Sequence, residues 1–379
     1  MKYYKILFVI FALFSLMVPL FYMDIAHISE QENRTLATFP KVKKNNKLNL
    51  SYGKDFEMWL GDRFWGRDLL IDIRFQAIYK INGCMENEKA FIGEDGWMFE
   101  KVRLKNEGTV AKQYKKIEKD VDILKKFANQ FKGKNVSIYL VMVPEREVLY
   151  QKYWEKYFRP MPRIDYAEEL QKRLSEDTSI KVIYPKKQFE QISNIPYFYK
   201  EDIHLNGYGT QLLARTVLEF MGIDDRGFVV DEMPKNKKNF NIARQLGFRR
   251  NPYEGKEKKL SVTHMMAKYE KQEEAPDGLD QNNLYEVGIS THPVKDEKLY
   301  IIGVCYSLDA LFPFLKYAYS ETERITVWPI DEARIDFYNF RLAKLKKIYS
   351  NKEKFTIVII LSNFPGQEIR IIEDSLADF

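Results

Sequence analysis

The chain has 379 residues, 45% hydrophobic and 15% aromatic, enough to pack the core of one large or two ordinary domains, which excludes an intrinsically disordered protein. Its 60 Lys and Arg against 54 Asp and Glu leave a net charge of +6 spread along the sequence, and no basic tract is rich enough to argue for a nucleic-acid partner. The two cysteines, Cys84 and Cys305, exclude a disulfide framework and leave one bridge open in an exported protein.

In chain order, Ile6 to Met23 is uncharged and apolar apart from Ser15 and Pro19, with Lys2 and Lys5 before it. This predicts a transmembrane signal anchor over 6–23, since such a length crosses a hydrocarbon core of about 30 Å. The preceding lysines keep residues 1–5 cytoplasmic and send the remainder out of the cytoplasm. A cleaved signal peptide is the alternative, but Met23-Asp24-Ile25-Ala26 is a poor small-x-small site. Residues 24–110 are expected to form a linker, helix and hairpin region. Phe56, Trp59, Leu60, Phe64, Leu69, Leu70 and Ile73 recur at helical spacing with an interruption near Gly66. Phe91 to Phe99 predicts a hairpin turning at Asp95-Gly96.

From residue 111 to 379 helix and strand patterns alternate. Tyr114, Ile117, Val121, Leu124, Ala128 and Phe131 mark one face of a helix, and Val136 to Val143 is a β-branched run ending at Pro144. Helices are expected at 166–174, 207–221, 308–319 and 333–349, and strands at 182–184, 299–304, 325–330 and 355–361. A polar stretch at about 224–296, most heavily charged from Asp224 to Lys259, is expected to be an excursion. The pattern predicts an α/β fold, a mainly parallel sheet with helices on both faces. Ligands of such sheets bind at the carboxyl ends of the strands.

Two stretches carry chemistry. In Tyr199-Lys200-Glu201-Asp202-Ile203-His204-Leu205-Asn206-Gly207-Tyr208-Gly209, an aspartate precedes one of four histidines by two residues, just before a helix. In an extended segment Asp202 and His204 lie on one side, so the carboxylate is able to orient the imidazole. In Tyr300-Ile301-Ile302-Gly303-Val304-Cys305-Tyr306-Ser307, a thiol stands where an apolar strand gives way to a helix beginning at about Ser307. Helix amides and the helix dipole there favour a thiolate and an oxyanion. Asp, His and Cys are the parts of an orienter, base and nucleophile set. A bland reading stays open for each: Cys305 as a buried core residue, and His204 as a hydrogen-bonded histidine of a structural loop. His27, His264 and His292 show no metal-ligand spacing, and neither a metal nor a cofactor is expected.

Taken together, several segments resemble the alginate acetylation proteins of the AlgJ and AlgX type, with their SGNH-hydrolase-like, DHHW-type domain. These are the apolar N-terminal stretch, Glu32-Asn33-Arg34-Thr35-Leu36-Ala37 with Phe39-Pro40, Asp62-Arg63-Phe64 with Arg67-Asp68, and the hairpin Ile92 to Phe99. Pro144 to Tyr150 resembles the segment after a strand that ends in proline, Tyr199 to Asn206 the Asp-Thr-His-Trp-Asn motif, and Gly303 to Ser307 the turn that bears Gly-Asp-Ser or Gly-Thr-Ser. The resemblance implies an SGNH-like (flavodoxin-like) domain outside the cell membrane that transfers acetyl groups to polysaccharide hydroxyls, supplied by a membrane-bound O-acyltransferase. It makes His204 the general base, Asp202 its orienter and Cys305 the nucleophile. Tyr306 then contributes an oxyanion amide, and Arg146 a substrate or oxyanion contact. The sequence departs from the pattern at Cys305 for Ser, Val304 for Asp or Thr, and Leu205 for Trp, and Asn241 stands where an aspartate is loosely aligned. A catalytically degenerate polysaccharide-binding or assembly protein is the alternative, and an esterase a third reading.

Overall fold

The structure is a computed structural model describing residues 6–9, 28–29, 34–44, 47–63, 67–82, 86–104, 109–158, 164–176, 179–191, 196–234, 241–246, 248, 258–274, 285–327, 335–362 and 367–377. Its contacts divide the chain into two units, Met1–Lys101 with Asn236–Glu254, and Val102–Lys235 with Gly255–Phe379.

In the first unit the interrupted helical pattern forms two helices, α1 (Tyr52–Arg63) and α2 (Arg67–Asn82), with 64–66 outside the described residues. Strands β1 (Ala90–Ile92) and β2 (Met98–Glu100) pair antiparallel with Phe91 opposite Phe99. Between them Asp95 and Gly96 take φ of 53° and 77°, the left-handed region that Asp and Gly tolerate best. The Asp62-Arg63 pair has a structural use here. Ala37 N–H donates to Asp62 Oδ2 at 2.8 Å and Arg63 Nη2 donates to the Ala37 carbonyl at 3.3 Å, tying the strip around Leu36 to the end of α1. Residues 6–9 are helical and exposed; the rest of the predicted span 6–23 lies outside the described residues, as does Cys84. No described helix is long and apolar enough to cross a membrane.

The second unit begins with α3 (Val110–Asn129), whose apolar stripe is buried and whose N-cap Thr109 accepts from Lys112 N–H. There follow β3 (Val136–Met142), α4 (Tyr166–Leu174), β4 (Ile180–Ile183) and α5 (Gly207–Phe220). Next come β5 (Phe228–Pro234) and β6 (Lys258–His264), paired with each other, then β7 (Tyr269–Glu274), β8 (Tyr285–Ser290) and β9 (Lys295–Gly303). The unit closes with α6 (Cys305–Ala318), β10 (Tyr319–Thr326), α7 (Ile335–Ile348), β11 (Phe355–Leu361) and α8 (Gln367–Ser375).

Seven strands form one sheet in the order β7-β8-β10-β9-β11-β3-β4. From β10 to β4 neighbours are parallel, whereas β8 joins β10, and β7 joins β8, antiparallel. Every residue of β11 is buried, because helices cover both faces. Leu124 of α3, Leu170 of α4, Leu345 of α7 and Ile372 of α8 pack with Leu140, Ile302 and Ile359 of the strands. On the other side α5 packs on α6, and α6 on β9, β10 and β11. Each Leu or Ile buried in this way stabilises the fold by about 1.5–3 kcal/mol relative to exposure.

The sheet is therefore mixed, and the polar excursion is the reason. Two of its segments, β7 and β8, extend the sheet, and β5 and β6 form a ribbon of their own. Their charges hid the strand pattern because they pair across strands. Lys271 lies 3.9 Å from Glu286, and the Tyr269 hydroxyl donates to Glu286 at 2.9 Å. The same effect hid the charged starts of β9 and β10, where Lys298 meets Glu321 at 2.6 Å and Glu323 at 2.9 Å. As a result β10 begins at Tyr319 rather than 325, and 328–330 lie outside the described residues.

Buried phenols tie this core to pH. Burial pushes Tyr150 and Tyr349 up to about 12, and raises Tyr319 further still. In the unfolded chain these groups ionise near ~10, so their contribution is complete below that pH and is lost as pH rises through about 10 to 12. The urea midpoint is expected to fall steeply across that window, and Tyr349→Phe to flatten the fall. A midpoint unchanged to about pH 12 would contradict this assignment.

Candidate active site

The Asp-His stretch is the tip of a closed loop. Phe198 and Leu205 pair as an antiparallel bridge, Tyr199 N–H donates to the His204 carbonyl at 3.2 Å, and Asn206 N–H to the Tyr197 carbonyl at 2.8 Å. Leu205, where tryptophan was expected, is buried and holds this bridge. Asn206 then caps α5, accepting from Gly209 N–H at 3.0 Å while its Nδ2 donates to the Pro196 carbonyl at 2.6 Å. Gly209 is needed for this closeness, since a Cβ there would stand 2.1 Å from the Tyr197 carbonyl oxygen.

Within the loop, His204 Nδ1 lies 2.6 Å from Asp202 Oδ1; the Asp202 side chain is fully buried and the His204 ring 25% exposed. An ionised carboxylate only accepts hydrogen bonds, so Nδ1 carries the proton and Nε2 is left as the basic nitrogen. His204 N–H also donates to Asp202 Oδ1 at 3.4 Å, which fixes the carboxylate from the backbone side. The sequence placed these two side chains near each other, and the 2.6 Å contact is an arrangement that would let the carboxylate orient the imidazole.

The loop is fastened to the carboxyl end of β3. After Pro144 the chain makes one helical turn, Arg146–Leu149, and Arg146 Nη1 donates to the carbonyls of Tyr199, at 3.0 Å, and of Asp202. The Tyr150 hydroxyl accepts from Tyr197 N–H at 2.7 Å, and Trp154 Nε1 donates to the Glu147 carbonyl at 2.8 Å. Arg146 was expected to meet substrate or an oxyanion. It is 2% exposed, its Nη1 donates to two loop carbonyls and so holds the loop in place, and it also borders a crevice at this edge. Arg146→Lys keeps the charge but loses the planar fork. We expect it to lower stability by about 1–3 kcal/mol, the cost of buried acceptors left unmet. Turnover should fall by up to ~10²-fold, as for a catalytic group displaced by about 1 Å. Urea melts and activity assays on the same preparation check both.

Cys305 is placed by its backbone. Strand β9 ends at Gly303, Val304 is extended (φ −82°, ψ 157°), and α6 begins at Cys305 itself, two residues before the start expected at Ser307. The side chains of Cys305 and Tyr306 lie outside the described residues. The sheet register nevertheless relates Cys305 to the loop. Gly303 stands opposite Ile360 of β11, and Met142 opposite Leu361, so β9 and β3 end together on either side of β11. Two strand spacings put those ends about 9–10 Å apart. Cys305 and the Arg146-clamped Asp202-His204 loop therefore stand on one carboxyl edge, where open α/β sheets hold their ligands. A crevice at this edge is lined by Arg103, Pro144, Glu145, Glu147, Phe198 and Ile203, among others. Asn241 opens a short helix, Asn241–Gln245, of the first unit.

Sequence reading missed Tyr150, Glu145 and Glu147 as parts of the site. Glu145 and Glu147 are buried, although glutamates right after a strand read as surface. The available signal was a run of three charges, Glu145-Arg146-Glu147, directly after a fully apolar strand.

The comparisons bear on this arrangement. Residues 90–289, just over half of the chain, match the family model of the SGNH hydrolase-like domain of the acetyltransferase AlgX. The matched span takes in Arg146, Asp202 and His204 and ends before Cys305. Among solved structures, Bacillus cereus PatB1 with a sulfonyl adduct is similar at 13% identity and TM-score 0.51, covering 74% of this chain and 97% of that one. A DHHW family protein from Eubacterium siraeum is similar at 14% identity and TM-score 0.51, covering 77% and 97%. The O-acetyltransferase domain of Pseudomonas putida AlgJ shows 12% identity and TM-score 0.47 over 76% and 99%. At these identities the likeness to the first two is one of fold. No curated protein matches the chain. With an Asp-His pair on the carboxyl edge of an α/β sheet, and with that match across more than half of its length, the chain belongs to the SGNH hydrolase-like acetyltransferase family of AlgX.

Proposed function

We propose that this protein is an extracytoplasmic O-acetyltransferase of a cell-surface or secreted polysaccharide, with Cys305 in the place of the usual serine. The observation that carries the reading is the 2.6 Å contact of His204 Nδ1 with buried Asp202, held over the sheet edge from which Cys305 opens α6. Nε2 of His204 takes the thiol proton as the Cys305 sulfur attacks the acetyl carbonyl of the donor. Amides of the first turn of α6, that of Tyr306 among them, receive the developing oxyanion. The donor's leaving group departs with the proton held on Nε2, and a thioester remains on Cys305. A sugar hydroxyl then gives its proton to Nε2 and attacks the thioester, and the thiolate leaves and takes that proton back from Nε2. Asp202 holds the imidazole in one tautomer throughout. The acetyl donor is a membrane-bound O-acyltransferase, and residues 6–23 anchor the chain beside it.

The test is complementation. In cells lacking the protein, the wild-type chain should restore polysaccharide acetylation, and Cys305→Ala, present at the same level, should not. Full restoration by Cys305→Ala would favour the assembly or binding role, and release of free acetate without glycan acetylation would favour an esterase.

A further inference from the structure

Between Leu36 and Lys54 stand five lysines, Lys41, Lys43, Lys44, Lys47 and Lys54, and no aspartate or glutamate. All five are exposed. Interleaved with them are Phe39, Val42, Leu48 and Leu50, exposed by 55%, 58%, 67% and 94%. Two short strands, Lys43–Lys44 and Lys47–Leu48, pair antiparallel, setting Lys43 opposite Leu48 and Lys44 opposite Lys47. The shape is held from within. Asn49, only 7% exposed, donates from its N–H to the Val42 carbonyl at 2.8 Å and from Nδ2 to the Lys41 carbonyl and Asp55, each at 3.1 Å. The Phe39 ring meets Trp59 of α1 edge-on, 4.7 Å between centroids, so a half-buried tryptophan sits beneath the patch. Lys44 is taken up by Asp55 at 2.7 Å, which leaves Lys41, Lys43, Lys47 and Lys54 as the outward charge.

We propose that this lysine-and-leucine surface of the first unit docks on an anionic lipid bilayer. Lysines alone would suit any polyanion. Large apolar side chains set between them suit a bilayer, where they enter the headgroup–acyl boundary while the lysines meet lipid phosphates. Single exposed apolar residues are ordinary, but a contiguous group rimmed by one sign of charge marks an interaction surface. The apolar stretch 6–23 precedes the patch in sequence, so a bilayer is the surface an anchored chain would meet first. The proposal stands apart from acetyl transfer.

The test uses the full chain reconstituted into vesicles of phosphatidylcholine, with or without phosphatidylglycerol, whose acyl chains carry bromine as a quencher. Trp59→Phe identifies the share of the emission due to Trp59. Docking predicts that Trp59 is quenched in the anionic vesicles and far less in the neutral ones. Removing one lysine should lower the docked-to-undocked ratio about five-fold, which corresponds to ~1 kcal/mol per lysine near an anionic surface. Lys41→Glu with Lys43→Glu and Lys47→Glu should abolish quenching, and Leu48→Ser with Leu50→Ser should weaken it strongly, with circular dichroism unchanged. Equal quenching in both vesicles would overturn the proposal. So would quenching that survives the double serine variant but is displaced by a soluble polyuronate, an outcome that makes the patch a glycan surface.

Discussion

His204→Ala is expected to lower acetyl transfer by about 10²–10⁴-fold, the usual worth of a positioned general base. The loss should fall on both chemical steps, because in the proposed mechanism the same Nε2 takes the thiol proton in the first and the sugar proton in the second. Folding should be nearly unaffected, since the loop is closed by backbone bonds of Tyr199 and Asn206 and by Arg146, none of which uses the imidazole. Asp202→Asn is the sharper variant. It preserves shape at a fully buried position but presents Nδ1 with an amide, which permits the tautomer that carries its proton on Nε2. An inversion of this kind costs roughly 10⁴-fold in a serine protease triad, and a comparable loss is expected here. Stopped assays with a soluble acetyl ester and glycan fragments check both; an Asp202→Asn variant of near wild-type rate would remove Asp202 from the mechanism.

Cys305→Ala is expected to have the largest effect of any single substitution, because the proposed mechanism routes the acetyl group through a thioester on Cys305. Cys305→Ser separates nucleophile from scaffold. If the site is built like its serine-bearing relatives, the hydroxyl should regain part of the activity, with His204 still required. Complete silence of both variants with a normal melting curve agrees with a thiol-specific site. Full activity of Cys305→Ala would return the chain to the assembly or binding reading.

Much of this was legible beforehand, for identifiable reasons. The apolar strands Val136–Met142 and Phe355–Leu361 and the amphipathic helix Val110–Asn129 carry periodicities that burial on both sheet faces imposes. Asp202 and His204 were expected to meet across an extended step, whereas they stand in a bend in which Asp202 Oδ1 accepts from His204 N–H, and this local turn brings the carboxylate to Nδ1 at 2.6 Å. What escaped was polar and paired within the fold. Tyr269, Glu286 and Lys271 satisfy each other across β7 and β8, so a strand pair read as an excursion. Arg146 is written like any charge after a strand, and only the fold shows its guanidinium donating to the carbonyls of Tyr199 and Asp202. Asp62 and Arg63 entered as part of a family resemblance, and the structure gives them a physical task in holding Ala37.

The most direct test is to find the acetyl group on the protein. The protein is mixed briefly with an activated acetyl ester and, in parallel, with its natural donor, and is then examined by intact mass and peptide mapping. An acetyl group on Cys305 in the wild type, absent in His204→Ala and passed to added glycan, is the predicted result. Glycan acetylation proceeding with Cys305 unmodified, or an adduct that forms equally well without His204, would contradict it.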